Sequence, residues 1–123
     1  MALFKVYYDE EQECVIASLE GKAGFEMLKK YAKKILETGD KHQCKTLFND
    51  LQKEEPAFSL IDFVEIMSMM TSIGFDNSWK TAMVVAKDSL GYRFYEALIL
   101  NEAIHLKLFT NPHEAMIWLK KSD

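Results

Sequence analysis

The sequence predicts an α/β fold, a mixed five-stranded sheet with four helices in the order β-β-α-β-α-β-α-β-α. Three observations lead to it. Two short β-prone runs open the chain with only a polar connection between them, as in a hairpin. From residue 25 the apolar spacing changes to that of a helix. After that, strand-like and helix-like runs alternate to the end, which is the pattern of repeated right-handed crossovers.

LFKVYY (3 to 8) and ECVIASL (13 to 19) are the hairpin strands, with Glu20-Gly21 ending the second. In GFEMLKKYAKKILETGDK, Phe25, Leu28, Ala32 and Ile35 share one helical face, and Lys29, Lys30, Lys33 and Lys34 lie outside it. Gly39 is expected to stop this helix by taking positive φ. TLFND (46 to 50) is the third strand, and an acidic loop is expected to follow it. The second helix has strong start signals. Ser59 is its N-cap, Asp62 stands at N3 in a short capping box, and Phe58 and Phe63 are placed for a hydrophobic staple. It runs to about Ser72, with Ile73-Gly74 beyond. TAMVVA (81 to 86) is almost wholly apolar and so belongs inside the sheet. A third helix is expected from about Leu90 to Ala103, with Phe94, Ala97 and Leu98 inward. HLKLFT (105 to 110) is the fifth strand. Asn111, Pro112 and Glu114 are N-cap, N1 and N3 of the last helix, whose core face is Ala115, Ile117, Trp118 and Leu119, with the edge as the alternative place for Ile117.

The 123 residues suit a single domain, 1–123, with no linker, repeat or low-complexity segment to divide it. Fifteen basic against nineteen acidic residues give a net charge of -4. That argues against a nucleic-acid partner, which needs a concentrated basic surface. No segment has the length and polarity of a membrane span, and MALFKVYYDEE lacks the form of a signal peptide. Cys14 and Cys44 are too few and too far apart for a disulfide framework or a metal motif, so the expectation is two reduced thiols in a cytoplasmic protein.

Side chains that carry chemistry are sparse. Asn49 and Asp50 end the third strand, where open sheets often place ligands. Asp50 and Asp62 do not read as a catalytic pair, because one ends a strand and the other caps a helix. His42, His105 and His113 have no metal-ligand spacing. There is no phosphate-binding glycine loop and no cofactor motif. Arg93, the only arginine beside fourteen lysines, can grip a carboxylate or phosphate in two-pronged fashion. Met67, Met69 and Met70 supply adaptable core filler or a soft apolar surface.

VIASLEG before the first helix, LFNDL at the third strand, SWKTAMVV entering the fourth, YRFYEALILNEA in the third helix and NPHEAMIWLKK at the end make the chain resemble the SpoIIAA-like, or STAS/SEC14, family of small bacterial domains. The resemblance covers nearly the whole chain and implies the fold of the anti-sigma-factor antagonists. Those proteins carry a phosphorylatable serine at the start of the helix after strand three. Ser59 stands in that place, in the segment FSLID, which lacks the family's paired serines and glycine.

The resemblance and the residues together imply a non-enzymatic regulatory or protein-interaction domain. Its working surface would join Asn49, Asp50, Ser59 and Arg93, with phosphorylation of Ser59 as a switch and an unidentified protein as partner. The alternative is a carrier of a lipid or other apolar ligand, contacted by Phe63, Met67 and Met70. An enzyme of unknown reaction comes third. Oligomeric state is open at this level.

Overall fold

The computed structural model of the protein describes residues 3–57, 59–87, 89, 92, 96 and 105–121. Five strands form one sheet in chain order: β1 (Leu3–Asp9), β2 (Cys14–Ala23), β3 (Thr46–Pro56), β4 (Lys80–Val84) and β5 (His105–Phe109). β1 is antiparallel to β2, and every other neighbour is parallel. Among the described residues there are three full helices: α1 (Phe25–His42), α2 (Leu60–Ser72) and α3 (Pro112–Lys120). The expected helix over 90–103 lies outside the described residues, except that Tyr92 and Glu96 are helical.

Alternation along the strands gives the sheet two apolar faces. Val15, Ala17, Leu19, Leu47, Leu51 and Met83 form the larger core with Leu28, Tyr31 and Ile35 of α1 and Ile66 of α2. Each crossover moves the chain one strand further in the same direction. Right-handed connections therefore put α1 and α2 on the same side. α3 follows the last strand and covers the other face, where Ala115 and Leu119 meet Cys14, Phe48, Ala82 and Val84. β4 lies between β3 and β5, and its residues from Thr81 to Val84 are buried, as the apolar run predicts.

Two boundaries differ from the sequence reading. The acidic stretch after Asp50 is not a loop. β3 continues through it, and β2 continues past Gly21 to pair with it: Glu20 opposite Lys53, Gly21 opposite Glu54, Lys22 opposite Glu55. A register shift between Ser18 and Glu20 and a positive φ of 89° at Gly21 accommodate the irregularity. Composition suggests a loop there, but the shift puts one extra residue into β3 and breaks the alternation, so Glu54 faces inward three residues after Leu51 and is buried. Next, α1 does not stop at Gly39. The helix runs to His42, and Gln43 supplies the left-handed cap at φ 52°, ψ 46°. Gly39 is glycine for a different reason: a Cβ there would collide with the Trp79 ring and the Cys44 carbonyl. On α3, Ile117 is 46% exposed, the edge position that the sequence allows, and Ala115 and Leu119 carry the core face with Met116 and Trp118 half-buried beside them.

Candidate functional site

β3 places Asn49 and Asp50 on opposite faces of the sheet, because successive side chains of a strand alternate. Asn49 is not at a strand end facing a loop. It sits within β3, 7% exposed, and its Oδ1 accepts a 2.5 Å hydrogen bond from the Tyr31 hydroxyl of α1. Burial pushes the Tyr31 phenol well above its ordinary value of 10.0, and the charges of Glu54 and Asp50 push the same way. Tyr31 therefore stays a neutral donor, and the Asn49 Oδ1 is engaged inside the core.

Asp50 is half-buried opposite Ser18 of β2. Its Oδ1 accepts from the Gln52 backbone amide and from Gln52 Nε2, both at 3.1 Å. With Ser18, Leu19, Glu20 and Lys53 it lines a small cleft of about 150 Å³. Two carboxylates and one ammonium share this cleft.

The start of α2 is built as its sequence implies. Ser59 is exposed and extended (φ -83°, ψ 169°). Its Oγ accepts from the Asp62 amide at 3.1 Å, and Asp62 Oδ2 accepts from the Ser59 amide at 3.3 Å. The reciprocal box satisfies two backbone donors at the helix end. An Ala57 amide bond to the Ala23 carbonyl, 3.0 Å, ties the approach to Ser59 onto the end of β2. One residue past the first helical position, Ile61 is 74% exposed, and Val64 one turn on is 65% exposed. Met67 and Met70 point back into the fold, half-buried against the larger core.

The structure thus joins Asp50 with Ser18, Glu20 and Lys53, and Ser59 with Asp62. It does not join Asp50 to Asp62, since each is committed to its own local bonds. Arg93, Phe58 and the Phe63 side chain lie outside the described residues, so the staple and the anion-gripping arginine do too. Among the histidines, His42 ends α1 and stacks on Tyr8 at 4.4 Å, and His105 meets the Trp118 ring edge-on at 5.6 Å. No group of three metal-ligating side chains forms among the described residues. No described helix is long and apolar enough to cross a membrane. A second, open cleft of about 740 Å³ lies at the opposite end, lined by Leu36, Gly39, Lys45, Ile73 and Trp79 among others.

Sequence reasoning missed Tyr31, Ile61 and Val64. Tyr31 was findable, since it lies three residues after Leu28 and four before Ile35, on the core face of α1. Ile61 and Val64 were not, because an apolar residue at helical spacing reads as core wherever the helix turns it.

No protein-family model matches the sequence, and no curated protein does. Solved structures do. An anti-sigma factor antagonist from Mycobacterium paratuberculosis superposes with a TM-score of 0.69 at 12% identity, covering 98% of this chain and 96% of that one. A DUF3478-family protein with a SpoIIAA-like fold, from Shewanella loihica PV-4, gives 0.65 at 13% identity over 96% and 93% of the two chains. The Bacillus cell fate determinant SpoIIAA in its phosphorylated form gives 0.55 at 13% identity over 96% and 100%. By its sheet order, its helix placement and these superpositions, the chain has the SpoIIAA-like fold of the anti-sigma-factor antagonists.

Proposed function

We propose that this is a single, non-enzymatic regulatory domain that docks a protein partner on the surface around the start of α2. The observation that carries it is the exposed Ser59 cap, with Ile61 and Val64 turned to solvent beside it. Apolar side chains next to a rigidly capped helix start suit a partner that supplies the missing apolar contact. Two of the structures that superpose are SpoIIAA in unphosphorylated and phosphorylated forms, which supports Ser59 as the position of a switch. A phosphate there would meet the favourable end of the α2 dipole and be opposed by Asp62. Met67 and Met70 are engaged in the core, which supports docking over an apolar carrier. The local commitments of Asp50 and Asp62 support a role without catalysis.

This reading keeps a crossover helix over 90–103, completing the four-helix order. The parallel β4–β5 pair supports it, since such pairs need a crossover of about a dozen residues or more, usually a helix. The free thiols of Cys14 and Cys44 support a reducing, cytoplasmic setting.

The test begins with the protein copurified from the native host and identified by intact-complex mass analysis. Its affinity is then measured for wild type, Ser59→Ala, Ser59→Asp and the double variant Ile61→Lys/Val64→Lys. Docking here predicts weakened binding by the double variant, and a switch predicts that Ser59→Asp alone differs from wild type. Equal affinities for all four would reject the surface. Equal affinities for the three Ser59 forms alone would reject the switch.

A further inference from the structure

We infer that the open edge of β1 pairs with the β1 edge of a second copy of this chain, antiparallel about a two-fold axis at Tyr7. Among the described residues β1 has a strand on one side only. Its other side presents unpaired backbone donors and acceptors, a template for another strand. The segment LFKVYYD contains no proline or glycine and is rich in β-prone residues. Tyr7, in the middle of the stretch that the two-fold pairs, is 43% exposed.

The charges choose both the partner and the register. Lys5 and Asp9 lie on the same face of β1 as Tyr7, since their partners on β2 are Ser18, Cys14 and Ile16. A two-fold at Tyr7 sets Lys5 opposite Asp9 of the second copy, and Asp9 opposite Lys5 of that copy. The strand is therefore complementary to itself, with two opposite-charge pairs flanking a Tyr7–Tyr7 pair at the axis. On the other face Val6 comes opposite Tyr8 of the second copy, a favourable β-branched and aromatic pair. Moving the axis to Val6 would put Asp9 opposite Leu3 and leave both charges unmatched. Asp9 can serve, because among the described residues only its Oδ1 is engaged, by the Glu11 and Gln12 amides of the hairpin turn. Lys5 lies over the Tyr7 ring at 5.5 Å, beside the position that Asp9 of the copy would take.

The packing above the strand permits the approach. His42, at the end of α1, stacks on Tyr8, so the part of α1 over the axis is its last two turns. These carry Glu37, Asp40 and Lys41, both signs of charge, and do not repel a copy as a single-sign helix would. Two five-stranded sheets would thereby join into one continuous sheet through a closed, isologous contact.

Sedimentation velocity of the full chain across a wide concentration range tests this. Wild type should shift from the 14.2 kDa chain to twice that mass as concentration rises. Lys5→Glu faces two like-charge contacts and should weaken the dimer roughly tenfold or more. Asp9→Lys should do the same. An equimolar mixture of the two variants restores both opposite-charge pairs, so it should dimerise where neither does alone. Circular dichroism of each variant reports whether the hairpin is intact, and restoration in the mixture requires that it is. A wild type that stays at single-chain mass overturns the inference. So does a dimer untouched by Lys5→Glu, a mixture that fails to associate, or an open-ended assembly in place of a closed pair.

Discussion

The Tyr31 hydroxyl of α1 donates to Asn49 Oδ1 of β3 at 2.5 Å in a place that solvent barely reaches. This bond fixes the helix against the third strand at the point where the notable Asn49-Asp50 pair emerges. A buried donor or acceptor left without its partner costs more than the bond itself contributes.

Removing either member alone should therefore hurt. Tyr31→Phe or Asn49→Leu should each lower stability by about 1–3 kcal/mol. The double variant should lose less than the two single losses added together, because no polar group is then stranded. Urea unfolding of all four proteins checks this. Simple additivity would show that the bond does not couple the two elements.

Gly39 leads to a second expectation. Gly39→Ala raises helix propensity, yet its methyl group enters the space of the Trp79 ring and the Cys44 carbonyl. Overpacking of that kind costs about 1–3 kcal/mol and exceeds the propensity gain of about 1 kcal/mol. Thermal unfolding should show a lower midpoint for Gly39→Ala, with altered fluorescence from Trp79. An unchanged or raised midpoint would mean that the ring moves aside freely.

Stability should fall in alkali for two identifiable reasons. Burial pushes the Cys14 thiol from 9.0 up to about 12, and raises the Tyr31 phenol above 10.0. Below pH 9 both groups are protonated in folded and unfolded chains alike, and their full contribution is present. As pH rises past 9.0 for the thiol and 10.0 for the phenol, the unfolded chain releases protons first. It then binds fewer protons than the folded one, so unfolding becomes easier until the folded values are passed. Denaturant midpoints measured from pH 7 upward should decline from about pH 9. Cys14→Ala should delay the onset, and Tyr31→Phe should flatten the later part. A midpoint independent of pH in this range would contradict both assignments.

Ser59 has a structural duty independent of any partner. Ser59→Ala removes the acceptor for the Asp62 amide and should cost about 1 kcal/mol. Ser59→Asp keeps an acceptor at the cap and adds charge at a favourable helix end, so its stability should stay near that of wild type. Chemical denaturation separates these effects from binding, and a loss as large for Asp as for Ala would show that the serine hydroxyl is specifically required.

Much of the fold is written locally. The hairpin needs only two β-prone runs and a short polar turn, and β1 and β2 pair as that predicts. Ser59 with Asp62 and Asn111 with Glu114 mark their helix starts by side-chain chemistry that operates within a few residues, and both caps form. The apolar run from Thr81 specifies a buried strand because few other environments accept it. Tertiary structure decided the rest, since each remaining feature depends on residues far apart in the chain. Gly39 signals a stop by its own propensity, but Trp79, forty residues on, makes it a packing site. The acidic segment after Asp50 becomes a strand only because β2 extends beside it. Asn49 became a core acceptor through Tyr31, and Ile61 faces solvent because the turn of α2 relative to the sheet put it there. Local signals fix which elements form; which face each one buries is settled by the elements that pack against it.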